Sequence, residues 1–167
     1  MVQLRKTLKL AQSLLTKNRI RFVLIGGFAL SAHGIARATK DINLLVDGSF
    51  KSQVKALFTQ AGFAVFFESD EILQLNGPGY LDIVFANRPL SLEMIRESPL
   101  KLAGVPVVGR EALIGLKIQA YKNDPSRTLQ DKADIQALLK LPGANLQKVK
   151  TYADLFDAWK EIEELLK

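Results

Sequence analysis

Cysteine is absent from the 167 residues, and histidine occurs once, at His33. The first absence excludes a disulfide framework, a thiolate zinc site and a cysteine nucleophile, and it fits a reducing compartment. A single histidine cannot build a metal centre by itself, and His33 stands before Gly34 at an expected helix end, where the dipole favours an imidazolium. No apolar run approaches the roughly 20 residues needed to span a bilayer. Met1–Leu15 interleaves Arg5, Lys6 and Lys9 with Leu4, Leu8, Leu14 and Leu15, where a signal peptide would carry a continuous apolar region. A cytoplasmic protein without membrane contact is therefore expected. Also missing are the Gly-x-x-x-x-Gly-Lys phosphate loop, His-Glu-x-x-His, Gly-x-Ser-x-Gly and the Gly-x-Gly-x-x-Gly of dinucleotide folds. Internal repeats and low-complexity segments are lacking too.

What is present describes a packed globule. Apolar residues make up 48% of the chain, and the length suits one domain, or one domain with a helical appendage. The net charge of +6 is compatible with an anionic partner such as a nucleotide or RNA, and equally with a solvated basic surface.

Leu4, Leu8, Ala11, Leu14 and Leu15 recur at helical spacing, which predicts a helix over residues 3 to 17, ended by Asn18 and Arg19. Phe22 to Ile25 reads as a buried strand broken by Gly26-Gly27, and Phe28 to His33 as a short helix closed by Gly34. Asp41 to Val46 is a second strand, and Ser49 is expected to cap a helix over residues 50 to 61 stopped by Gly62. Phe63 to Glu68 is a third strand. Glu71 to Leu75 and Tyr80 to Phe85 flank Asn76-Gly77-Pro78-Gly79 as a hairpin. Pro89 to Glu97 is a short helix, and Leu102 to Val108, with Gly104 and Pro106, is at best an edge strand. Helices follow over Arg110 to Tyr121, Leu129 to Leu139 and Leu146 to Leu166. Tyr152, Phe156 and Trp159 mark one face of the last, and Phe63, Phe66 and Phe67 are assigned to core and strand packing. An α/β part over residues 1–108 thus precedes a helical part over 109–167, as two parts of one compact unit.

The chemistry is concentrated between Phe22 and Val46. Gly26 and Gly27 lack a Cβ, so a ligand can approach the backbone there. A helix starting at that point offers free amides and a positive dipole end to an anion, with Ser31 on its surface. Arg37 and Lys40 add positive charge in the next loop. Strand alternation puts Asp41 and Asn43 on one side and Ile42 and Leu44 on the other. A second acid, Asp82, interrupts the apolar Leu81, Ile83 and Phe85, a costly position unless the carboxylate is paired or binds a metal. If the two strands are neighbours, Asp41 and Asp82 can meet over magnesium bridging triphosphate oxygens.

The segment Ile25-Gly26-Gly27-Phe28-Ala29-Leu30, His33-Gly34, Arg37, Thr39 and Asp41 to Val46 resembles the signature of minimal nucleotidyltransferases of the DNA polymerase beta superfamily. The resemblance is closest to the abortive-infection type toxin nucleotidyltransferases of toxin–antitoxin pairs. It implies an α/β (α+β) fold, with a mixed sheet flanked by helices and a helical C-terminal part. The implied activity is magnesium-dependent (or manganese-dependent) transfer of a nucleotidyl group from a nucleoside triphosphate to a hydroxyl on RNA or protein, with an antitoxin as partner. By that resemblance Asp41, Asn43 and Asp82 hold metal, and Gly26, Gly27, Ser31, Arg37 and Lys117 hold nucleotide. Asp131, or in second place Asp134, assists the accepting hydroxyl. From the pattern alone Lys117 reads more simply as a solvated helix lysine, and Asp131 and Asp134 as first-turn acids. One position departs from the family: Asn43 stands where the second Asp belongs, which removes one of three negative charges. The alternative expectation is a decayed nucleotidyltransferase-fold module that binds nucleotide or a partner protein.

Overall fold

The computed structural model describes residues 2–167; Met1, at the start of the amphipathic segment, lies outside them. Among the described residues eight α-helices and seven strands follow one another. α1 (Val2–Lys17) leads into β1 (Phe22–Ile25), α2 (Gly26–Ala32), β2 (Asp41–Asp47) and α3 (Lys51–Gln60). β3 (Ala64–Glu68), β4 (Ile72–Asn76), β5 (Tyr80–Ala86), α4 (Pro89–Arg96), β6 (Leu100–Leu102) and β7 (Val105–Val107) complete the sheet region. The remainder is helical: α5 (Arg110–Asn123), α6 (Thr128–Lys140), α7 (Leu146–Asp154) and α8 (Trp159–Leu165). The chain forms two compact units, one reaching to Ala32 and resuming over Ala36–Val108, the other made of His33–Ile35 and Gly109–Lys167.

The first unit is built on one mixed sheet in the order β3-β4-β5-β2-β1-β7-β6. β2 pairs antiparallel with β1 and parallel with β5, so the two strands that carry the proposed carboxylates lie side by side. Their apolar residues Ile42, Leu44, Leu81 and Ile83 are fully buried, as period-2 alternation requires of a strand with one face in the core. α1 packs on α3 and on β2 and β5, while α2 and α4 pack on β1 and β2. The expected hairpin across Asn76–Gly79 is present as β4–β5.

Three expectations are corrected in this unit. Leu102 to Val108 is not one edge strand. It is the end of a hairpin whose second strand, β7, lies inside the sheet between β1 and β6. The turn is made by Ala103 and Gly104, with φ of 50° and 85°. Both residues thus adopt the positive φ that tight hairpin turns demand. Ser49 does not cap α3, whose N-cap is Phe50 with no side-chain cap. Ser49 lies instead in a 3₁₀ turn over Gly48–Phe50 that precedes α3, and Asp47 caps that turn, accepting from the Ser49 amide at 3.1 Å and the Ser49 hydroxyl at 2.7 Å. Phe63 is buried edge-to-face against Phe58 at 5.3 Å, but Phe66 and Phe67 lie on the sheet's outermost strand, 76% and 49% exposed.

In the second unit α5 packs on α6 and α7, and α8 on α6 and α7. At Gly115 of α5 a Cβ would come within 2.7 Å of the Tyr152 ring, so the glycine permits the close α5–α7 contact. The single helix expected over Leu146 to Leu166 is two. The Ala158 amide donates to the Ala153 carbonyl and the Asp157 amide to that of Asp154, with Asp157 at φ 50°. This is a Schellman termination with aspartate where glycine is usual, so no glycine or proline betrays the break.

Candidate nucleotide site and the helical ion cluster

β2 enters the sheet at Asp41, and its first residues alternate between half-buried Asp41 and Asn43 and fully buried Ile42 and Leu44. In the parallel register with β5, Asn43 stands directly beside Asp82 and Asp41 beside Tyr80. Neighbouring side chains on paired strands share a face, so Asp41, Asn43, Asp82 and Tyr80 project together, with Asp41 and Asp82 on a diagonal. Gln74 of β4 extends the row beyond Asp82. On the other flank Asn43 is paired with Ile25, the last residue of β1, where the chain turns into α2.

The two glycines have different duties there. Gly26 sits at φ +67°, and a Cβ on it would come within 3.0 Å of the Asn43 side chain. A Cβ on Gly27 would come within 2.7 Å of Thr39. Thr39 in turn donates its hydroxyl to Asp41 Oδ1 at 2.9 Å, and the same hydroxyl lies 3.1 Å from the Asp41 carbonyl. The glycines therefore let the loop before β2 close onto the turn, and Thr39 fixes one oxygen of Asp41. The Ser31 hydroxyl, exposed, is bonded to the Gly27 carbonyl at 3.3 Å within α2. Arg37, half-buried, lies in the loop between α2 and β2.

Asp47, at the far end of β2, is committed to Ser49 and lies 3.7 Å from Arg21. The donors on the open side are hard oxygens: two carboxylates and one neutral amide. Among the described residues no three His, Cys, Asp or Glu gather as a metal-binding group. A two-carboxylate set of this kind suits magnesium that brings phosphate oxygens with it.

The second unit gathers the remaining candidates. Lys117 is buried, not solvated: its Nζ lies 2.9 Å from Asp131 Oδ1 and 2.7 Å from Asp134 Oδ2. Arg127 Nε reaches the other oxygen of Asp131 at 3.0 Å. Asp131 does stand in the first turn of α6, as expected, and Asp134 lies beyond it; both are buried, and with Lys117 they form a core ion cluster that joins α5 to α6. The i, i+3 spacing of Asp131 and Asp134, which sets both on one helix face, was the available signal for it. Sequence reasoning also missed Tyr80, 57% exposed beside Asp41.

This arrangement is that of a nucleotidyltransferase fold, and solved structures bear the class out. The antibiotic-resistance factor ANT(2'')-Ia superposes with a TM-score of 0.59 at 17% identity, over 95% of this chain and 86% of that one. The lincosamide antibiotic adenylyltransferase LnuA gives 0.56 at 17% identity, over 81% and 96%. An antigenic nucleotidyltransferase-like protein from Paracoccidioides brasiliensis gives 0.54 at 18%, over 94% and 88%. At such identities the likeness establishes the fold alone. The family is given by sequence: residues 10–163 match the model of the nucleotidyl transferase AbiEii toxin, type IV toxin–antitoxin system, and the chain belongs to that family. No curated protein matches it significantly in sequence. No helix among the described residues is long and apolar enough to cross a membrane.

Proposed function

We propose that this AbiEii-family protein binds a nucleoside triphosphate with magnesium and transfers its nucleotidyl group to a hydroxyl of RNA or protein, acting as the toxin of a toxin–antitoxin pair. The observation that carries the reading is the parallel pairing of β2 with β5, with Asp82 beside Asn43 and diagonal to Asp41 at the turn where Gly26 and Gly27 pack closely on Asn43 and Thr39. In this reading Asp41 and Asp82 hold the metal and Asn43 offers a neutral carbonyl oxygen. Magnesium bound there supplies charge neutralisation for the triphosphate and the leaving pyrophosphate. Gly26, Gly27, Ser31 and Arg37 contact phosphates. The acceptor oxygen bonds to the α-phosphorus as the bond from that phosphorus to the oxygen bridging to the β-phosphate breaks. Pyrophosphate leaves, and the hydroxyl proton passes to a carboxylate.

Asn43 favours a second reading, a fold that retains nucleotide binding without transfer. The two separate in one experiment. Wild type, Asp41→Ala and Asn43→Asp are incubated with α-labelled nucleoside triphosphates, magnesium or manganese, RNA and cell protein. Label transferred by wild type and lost in Asp41→Ala supports the enzyme. Label from Asn43→Asp alone supports the retained scaffold, and magnesium-dependent nucleotide binding unchanged in Asp41→Ala sinks the metal assignment.

A further inference from the structure

Charge along this chain is distributed unevenly. Residues 1–40 contain eight Lys and Arg and no Asp or Glu, while the other 127 residues carry 15 Lys and Arg against all 17 acids. The whole positive excess therefore originates in α1, the turn between α1 and β1, and the loop before β2. In α1 the buried Leu8, Ala11 and Leu15 face the protein, and Arg5, Lys6, Lys9 and Lys17 are all exposed. At 100° per residue these four fall on the side opposite the core, as a single basic stripe.

The stripe runs into a groove of about 440 Å³ at the C-terminal end of α1, whose walls include Gln12, Thr16, Arg19, Arg21 and Ser98. The groove lies by Phe22, at the opposite end of β1 from Ile25 and the Asp41–Asp82 face. It belongs to the same compact unit but is a separate feature. Arg19 stands out there. The Ile20 amide donates to the Leu15 carbonyl and the Arg19 amide to that of Thr16, with Arg19 at φ 58°. This is the position where a helix ordinarily ends on glycine. An exposed arginine in left-handed backbone costs on the order of 1 kcal/mol over glycine, a cost the turn itself does not require. Arg21 keeps 64% of its side chain exposed despite Asp47 at 3.7 Å.

We propose that the α1 stripe and the Arg19–Arg21 groove form a docking surface for the phosphodiester backbone of an RNA strand. Lys and Arg on a helix face, with hydroxyl and amide side chains at its end, are the groups that hold phosphates without reading sequence. From Arg5 to Arg19 the surface spans about 20 Å, room for several successive phosphates of one strand. Residues 1–40 hold no acidic side chain to neutralise it. That the docked strand is the acceptor rests on the transferase reading above; the docking itself does not.

The test is fluorescence anisotropy of a labelled 20-nucleotide single-stranded RNA without nucleotide or magnesium, from 50 to 300 mM salt. The proteins compared are wild type, Arg5→Glu/Lys9→Glu/Arg19→Glu, Lys140→Glu/Lys160→Glu/Lys167→Glu, Arg19→Gly and Asp41→Ala. The α1 triple variant should bind at least about tenfold more weakly, with a salt slope smaller by about 2 for three lost contacts. The C-terminal triple variant, with equal charge change, should lose at most a small part of that. Arg19→Gly should weaken binding while raising the melting temperature, an outcome no folding defect produces. Asp41→Ala should bind as wild type does, which keeps a failure of the transferase reading distinct. Equal losses in the two triple variants, or undiminished affinity in Arg19→Gly, would overturn the proposal. So would equal binding of poly-aspartate of matching charge.

Discussion

At the scale of single residues, the protein holds two kinds of carboxylate, and substitutions should separate them. Asp131 is fully buried and divides its oxygens between Lys117 and Arg127. Removing one member of a buried pair leaves an uncompensated charge, at a cost of about 3–5 kcal/mol. Lys117→Met, which takes from Asp131 and Asp134 the ammonium they share while Arg127 still holds one oxygen of Asp131, is therefore expected to lower stability by about that amount in urea unfolding. A loss of activity in Lys117→Met reports on phosphate contact only if the protein is shown to remain folded. Asp41 and Asp82 are half-buried on an open sheet face, so their neutral variants should cost far less. Asn43 permits a sharper test. Asn43→Asp puts a carboxylate directly beside Asp82, and like charges in that position are worth about 0.2–1 kcal/mol of destabilisation. Without metal the variant should melt a few degrees below wild type, and magnesium should restore it while moving wild type less. A wild-type and variant pair equally indifferent to magnesium would remove the site from consideration. Tyr80, exposed beside Asp41, has a broad aromatic surface free for stacking. Tyr80→Ala is expected to raise the KM for nucleotide by about tenfold, given the ~1–3 kcal/mol typical of base–aromatic stacking, with little change in melting temperature.

At the scale of elements, the turns decide what the sequence discloses. β1, β2, β4 and β5 were legible because apolar residues alternate or run unbroken between glycine, proline and asparagine signals, and Asn76–Gly79 is an explicit turn. β7 was not, because Pro106 and Gly104 argue against an interior strand, and its partner β1 lies some eighty residues earlier. The break between α7 and α8 was hidden for the same kind of reason: Asp157 occupies a glycine's conformation. Likewise Asp41 and Asp82 could be seen from sequence as acids in strands, but their adjacency depends on β2 pairing with β5, a long-range choice that periodicity does not state. The Lys117 cluster needed the packing of α5 on α6 before its burial had meaning. The same turns yield a stability prediction. Ala103 holds φ 50° in the β6–β7 turn. Ala103→Gly relieves about 1–2 kcal/mol of left-handed strain and gives back about 0.4–1 kcal/mol through the freer unfolded chain. A net gain of about 0.5–1 kcal/mol is expected, seen as a higher urea midpoint at unchanged slope.

At the scale of the whole molecule, stability against pH should form a plateau bounded on each side by groups around Glu161. Its carboxylate is reached by Lys122 and Lys132, each at 2.6 Å, and by the Tyr121 hydroxyl at 3.3 Å, which ties α8 to α5 and α6. Hydrogen bonds from Lys122 and then Lys132 lower the Glu161 pKa from the ordinary 4.5 to about 2. A depressed acid contributes its stability fully above the unfolded value and loses it as pH falls through the folded one. The Glu161 contribution is thus complete above about pH 5, declines between 4.5 and 2, and is gone below. Burial first, and then the Glu161 charge, push the Tyr121 phenol above its ordinary 10. That group stabilises the fold below pH 10 and loses its contribution as pH rises beyond it. Glu161 is a third exposed, so solvent screening leaves its network on the order of 1 kcal/mol. Urea midpoints of Glu161→Gln should therefore lie below wild type by a constant amount from pH 5 to 9. The two curves should converge as pH approaches 2, because protonation does to the wild type what the substitution has already done. A difference that persists unchanged to pH 2 would mean that packing of the side chain, not its charge, holds α8 in place.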